Sequence, residues 1–120
     1  MNKRHILFVV VGIFLTISAG IFRPVPKVPE NDLLITRGTV ANITEAGVRD
    51  IVFELEGTDR SYYINRGIDH GIDIRSLKEE LIGKDVVIKY PDYWTILDPR
   101  KKTRHITKLE SGGEVIFTEI

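Results

Sequence analysis

Residues Ile6 to Phe22 (ILFVVVGIFLTISAGIF) carry no charged side chain, and Lys3 and Arg4 stand just before them. As a helix rising about 1.5 Å per residue, this run spans roughly 25 Å, the short end of what crosses a hydrocarbon core near 30 Å. A buried helix of a water-soluble body would show polar residues along one side at helical period; this run shows no such face, so lipid is the solvent it suits. Two readings compete. A basic start, an apolar stretch and a small-residue site at Ser18-Ala19-Gly20 make a cleavable signal peptide. The apolar run also continues through Ile21 and Phe22 to Arg23 at the far interface, which makes an uncleaved anchor, and this is the preferred reading. Lys3, Arg4 and the terminal amine place residues 1–5 in the cytoplasm and the remainder of the chain across the membrane.

Pro24, Pro26 and Pro29 follow. Closely spaced prolines favour extended polyproline geometry, so residues 23–32 are expected to form a stiff stalk. Of the 17 Lys and Arg, Lys3, Arg4, Arg23 and Lys27 precede Glu30, leaving 13 beyond it against all 17 acidic residues, a net charge of −4 for the body. An acidic body is repelled by phosphate backbones, so nucleic acid is not an expected partner. The absence of Cys excludes a disulfide scaffold, a thiolate zinc site and a thiol nucleophile.

From residue 33 the sequence reads as strands with one helix. Leu33–Ile43 forms a first strand around Gly38, and Glu45-Ala46-Gly47 is expected to turn. Ile51, Phe53 and Leu55 alternate with Asp50, Glu54 and Glu56, the period of a half-buried strand. Gly57–Arg60 turns into a hairpin partner at Ser61–Asn65, and a loop runs from Gly67 to Asp73. Ile74, Leu77, Leu81 and Ile82 then fall on one helical stripe, with Asp73 and Ser76 as competing N-caps and Gly83 as the stop. Lys84–Tyr90 is a strand with Val86, Ile88 and Tyr90 on one face, and Pro91–Pro99 is irregular. Arg104–Leu109 and Val115–Glu119 close as a hairpin around Gly112-Gly113.

Three strands, a short helix and two or three further strands predict a mainly β domain over residues 33–120. The expected form is a small closed or partly open barrel of five to six strands, with the helix plugging one end. The long glycine-containing first strand (ITRGTVANI), the hairpin, and the helix before the fourth strand (SLKEELIGKDVVIKY) resemble the OB-fold in layout. The segment LIGKDVVIKYPDYWTILDP is similar to the barrel part of small, functionally uncharacterised bacterial membrane proteins. Neither resemblance implies catalytic residues, and the basic, aromatic groove of nucleic-acid-binding OB modules is missing.

Asp69, His70 and Asp73 are the one place where a His stands between carboxylates, and they are weak metal candidates within an ordinary loop composition. No nucleophile elbow, zinc-protease helix or phosphate loop occurs, and no cofactor is implied. Arg100, Lys101, Lys102 and Arg104 form the one basic run, able to meet an acidic partner or to sit as solvated loop charges guarding the next strand. Tyr93 and Trp94, with Tyr90, Tyr62 and Tyr63 near in the expected fold, form the aromatic cluster. Such side chains in a loop either anchor a ligand or fold back to cap the barrel.

The resulting expectation is a single-pass, membrane-anchored, exported module at the cell envelope that is not an enzyme. It would bind or assemble with an envelope protein through Tyr93, Trp94, Arg100, Lys101, Lys102 and Arg104. The alternative is a cleaved, secreted domain that binds a small ligand or a metal.

Overall fold

The computed structural model describes residues 25–120. Residues 1–5, expected in the cytoplasm, the apolar run 6–22 and residues 23–24 of the expected linker lie outside that range. Among the described residues no helix is long and apolar enough to cross a membrane.

The body is mainly β, with seven strands in one sheet and one helix. The strands are β1 (Leu34–Ala46), β2 (Asp50–Leu55), β3 (Ser61–Ile64), β4 (Asp85–Tyr90), β5 (Thr103–His105), β6 (Lys108–Ser111) and β7 (Glu114–Thr118), and the helix α1 is Ile74–Leu81. Their order across the sheet is β5-β3-β2-β1-β4-β6-β7.

The long first strand organises this arrangement. Its first half, Leu34–Thr39, pairs antiparallel with β4, and its second half, Val40–Ala46, pairs antiparallel with β2. The change of partner coincides with Gly38 and with a register shift between Val40 and Asn42. A Cβ on Gly38 would sit 3.1 Å from Leu55 Cδ1, so the missing side chain lets β2 cross over the strand where it bends. The turn after β1 comes at Gly47–Arg49, because Glu45 and Ala46 keep their pairing with Ile51 and Asp50.

Alternation then fixes the core. Ile51, Phe53 and Leu55 of β2 point inward with Tyr62 and Ile64 of β3 and with Val86, Ile88 and Tyr90 of β4, and all are buried. Each fully buried side chain of this size contributes about 1.5–3 kcal/mol. Helix α1 adds Leu77 and Leu81 to the same cluster, with Ile74 at its edge. Asp73 caps the helix, accepting from Arg75 N at 3.2 Å and from Ser76 Oγ at 2.9 Å; Ser76 is therefore inside the helix. Ile82 lies beyond the last helical turn and is exposed, because the chain stops at Gly83 with φ +82°.

One expectation needs correction. The body has seven strands rather than five or six; of the two forms expected, closed or partly open, the closed one is not seen. The extra strand comes from one segment. The expected strand Arg104–Leu109 is two strands, since Ile106 N donates to Tyr63 O at 2.8 Å while Thr107 N donates to Lys89 O at 2.9 Å. The chain thus leaves β3, with which β5 runs parallel, and turns to β4, with which β6 runs antiparallel. The β6–β7 hairpin forms around Gly112 and Gly113 as expected, both at positive φ.

The linker ends against the body. Glu30 accepts from Lys108 Nζ at 2.6 Å and from Lys89 Nζ at 3.2 Å. Lys89 and Lys108 are cross-strand partners, and like charges facing each other across a ladder repel. The Glu30 carboxylate between them relieves that repulsion, and both bonds hold it below the usual carboxylate range.

Candidate binding surface

Neighbouring residues on a strand face opposite ways, and this divides the aromatic cluster. Tyr62 and Tyr90 point inward and meet edge to face, with ring centroids 5.6 Å apart. Tyr63 points outward, against the edge of His105, with centroids 5.4 Å apart. Burial and the neighbouring Tyr93 hydroxyl push the Tyr63 phenol above its usual range, so it stays protonated as a donor. His105 Nε2 and Glu119 Oε2 are 2.8 Å apart, joining β5 to the end of the chain.

The connection from β4 to β5, residues 91–102, is irregular but not loose. Asp98 accepts from Lys102 N at 2.9 Å through Oδ1 and from Thr103 N at 2.7 Å through Oδ2. Its own N–H donates to Thr95 O at 3.1 Å, and Leu97 N donates to Thr95 Oγ1 at 3.3 Å. Four backbone and side-chain bonds therefore close the tip on itself, as Asp and Thr do when they replace a regular ladder.

The basic run does not behave as one unit. Arg100 and Lys102 are exposed, and Lys102 reaches Asp59 at 3.5 Å. Lys101 donates to Asp92 at 2.9 Å from a backbone at φ +54°. Arg104 is 3% exposed and belongs to the interior rather than to the solvated loop. Its guanidinium lies 4.9 Å from the centre of the Tyr90 ring, and it donates to Asp92 Oδ1 at 3.1 Å and to Tyr93 O at 3.4 Å. As the register partner of Tyr62 on β5, Arg104 inherits Tyr62's inward direction. It thereby ties the start of the connection to the core. Lys101 and Arg104 together hold the Asp92 carboxyl below the usual carboxylate range.

Tyr93 and Trp94, adjacent in sequence, also part. Tyr93 is half-buried and, with its hydroxyl beside that of Tyr63, lines a groove of about 490 Å³. Val52 and Tyr63 from the outer face of β2 and β3 line this groove, with Asn65, Leu97 and Asp50 around it. Trp94 is 51% exposed and so does not cap the core; its indole N–H donates to Pro99 O at 3.2 Å.

The candidate metal residues do not converge. Asp69 pairs with Arg49, His70 lies edge-on to Phe117 with centroids 5.5 Å apart, and Asp73 caps α1. Among the described residues no three His, Asp or Glu side chains are grouped to hold a metal ion.

Of the groove wall, the sequence singled out Tyr63 as part of the aromatic cluster but not Asn65, Asp50 or Val52, and alternation about Tyr62 and Ile64 assigns Tyr63 to the outer face. The exposure of Ile96 and Leu97 carries a signal of its own, since apolar residues without helical or strand period sit between Pro91 and Pro99. No protein-family model matches this chain, and no curated protein matches it.

Proposed function

We propose that this chain is a non-catalytic binding or assembly module of the cell envelope, held to the membrane by residues 6–22 with its β body outside the cytoplasm. Its contact surface is the groove beside Tyr63 and Tyr93 together with the Tyr93-Trp94 connection, the exposed cations Arg100 and Lys102, and the half-buried Lys101 between them. Arg104 serves this surface from inside, by fixing the connection.

The observation that carries the reading is the groove itself. It is open to water and combines aromatic and aliphatic walls with the polar side chains of Asp50 and Asn65. Such a surface binds through shape and a few placed polar groups. The body reads further as a partly open OB-like barrel. Support comes from the order β3-β2-β1-β4 with β5 parallel to β3, and from the single segment Thr103–Ser111 that serves both β3 and β4. In such barrels the outer face of the second and third strands and the loop between the fourth and fifth form the binding side.

The test is a photoreactive residue placed at Asn65, which lines the groove, or at Glu79, exposed on α1. Illuminated in cells producing the full chain, Asn65 should give a discrete adduct that Glu79 does not. The same adducts from both positions, or none from Asn65, would remove this surface as the point of contact.

A further inference from the structure

Three large apolar side chains stand in water within four consecutive residues of the 91–102 connection. Trp94 is 51% exposed, Ile96 58% and Leu97 67%. Scattered exposed apolar residues are ordinary, but a contiguous apolar tip marks an interaction site. We infer that this tip enters the interfacial layer of the same bilayer that holds residues 6–22, laying the body on the membrane surface with the Trp94–Leu97 turn immersed. The inference rests on the anchor reading proposed above and names lipid as what the tip meets.

Three features favour lipid. The first is position. Val25 and Leu97 line the same groove, and Val25 is three residues beyond Phe22, the end of the apolar run. Three residues reach at most about 11 Å even fully extended. Where Phe22 ends a span, the tip beside Val25 therefore stands within reach of the headgroup layer, which is roughly 5–8 Å deep on each side.

The second feature is polarity. Entering lipid is costly for unpaired backbone and side-chain donors. Here the indole N–H is already bonded to Pro99 O, Leu97 N to Thr95 Oγ1 and Asp98 N to Thr95 O. Both Asp98 carboxylate oxygens are engaged by backbone N–H groups. The tip can leave water without abandoning a hydrogen bond it makes inside the protein.

The third feature is charge. Arg100, Lys101 and Lys102 follow the tip directly, and Arg100 is exposed with no ion-pair partner among the described residues. An indole at the headgroup level with cations beside it is the composition that membrane interfaces select. The body's net negative charge opposes anionic lipid, so immersion is driven by the apolar tip and needs no anionic headgroup.

Trp94 is the sole tryptophan, so indole fluorescence reports this turn alone. The full chain is placed in phosphatidylcholine vesicles, with and without phosphatidylglycerol, some carrying lipid brominated at shallow acyl positions. The expected result is strong bromine quenching of Trp94 in both compositions, reduced several-fold by the double substitution Ile96→Ser/Leu97→Ser. Both residues are mostly exposed, so the variant folds. Trp94 emission like that of a hydrated indole and untouched by brominated lipid would overturn the inference, and is the result a protein-facing tip would give. Flotation of the same vesicles after an alkaline wash judges the anchor separately. A retained chain with hydrated Trp94 overturns the inference and leaves the anchor standing; a released chain overturns the anchor reading, and the inference with it.

Discussion

Two connections flank β4, and they use their apolar residues in opposite ways. The one before it, residues 65–84, buries Gly67, Leu77 and Leu81 and half-buries Ile68, Ile72 and Ile74. The one after it, residues 91–102, leaves Trp94, Ile96 and Leu97 in water, while the charged Arg104 just beyond it is buried. Helical spacing gathers Ile74, Leu77 and Leu81 on one face that must be covered, and the core covers it, leaving only Ile82 beyond the last turn exposed. The second set has no period, so no regular element can turn it inward. A tight cradle of hydrogen bonds from Asp98, Thr95 and Pro99 instead presents it outward. One connection completes the core; the other holds its apolar residues away from it.

The sharpest way to break this contrast is to truncate each set in turn. Leu81→Ala removes a side chain that is 2% exposed and should lower unfolding stability by about 2–5 kcal/mol in a denaturant titration. Arg104→Met should cost about 1–3 kcal/mol, by losing charge-assisted hydrogen bonds to Asp92 and Tyr93. The loss stays below that of a fully buried pair because Asp92 is open to water and is rehydrated. Trp94 mobility, read by fluorescence anisotropy, should rise in this variant. Leu97→Ser should change stability by no more than about 0.5 kcal/mol. A larger loss there would make the second connection a structural cap.

How much of this was legible in the sequence depends on whether neighbours along the chain or across the fold decide the outcome. Ile51, Phe53 and Leu55 alternate, Leu77 and Leu81 fall on one stripe, and Gly112-Gly113 permits the hairpin turn; each pattern is local and each is seen in the structure. The division of Arg104–Leu109 is not local. It arises because Ile106 and Thr107 bond to strands on opposite sides, one through a parallel pair that no hairpin announces. Arg104 likewise reads as one cation in a basic run until its register with Tyr62 turns it inward. At the binding surface, Tyr93 and Trp94 were legible as residue types. Their divergence was not, because Tyr63 and Pro99 determine it.

Acid should sharpen the contrast from another direction. Glu30 and Asp92 are both held below the usual carboxylate range by their Lys and Arg partners. A depressed carboxyl contributes stability above its unfolded pKa and loses it as pH falls through the folded value. The linker and the second connection should therefore loosen on the acid side. Trp94 fluorescence should change at a higher pH than far-ultraviolet circular dichroism, which follows the strands and α1. Lys108 is raised by Glu30, so its contribution is present below the ordinary Lys pKa and disappears only as pH rises through the raised one. Glu30→Gln should flatten both limbs, with a smaller effect than any core truncation.

The contact proposed for this surface presupposes a membrane anchor, and that attachment is open to direct measurement. Membranes from cells producing the full chain are washed at alkaline pH, and the intact mass of the protein is determined in the pellet and in the supernatant. A full-length mass in the washed pellet is the expected result, with residues 6–22 retained as the anchor. A soluble product shorter by about twenty residues, cut near Gly20, would contradict it and make the body a secreted domain whose exposed tip meets something other than its own membrane.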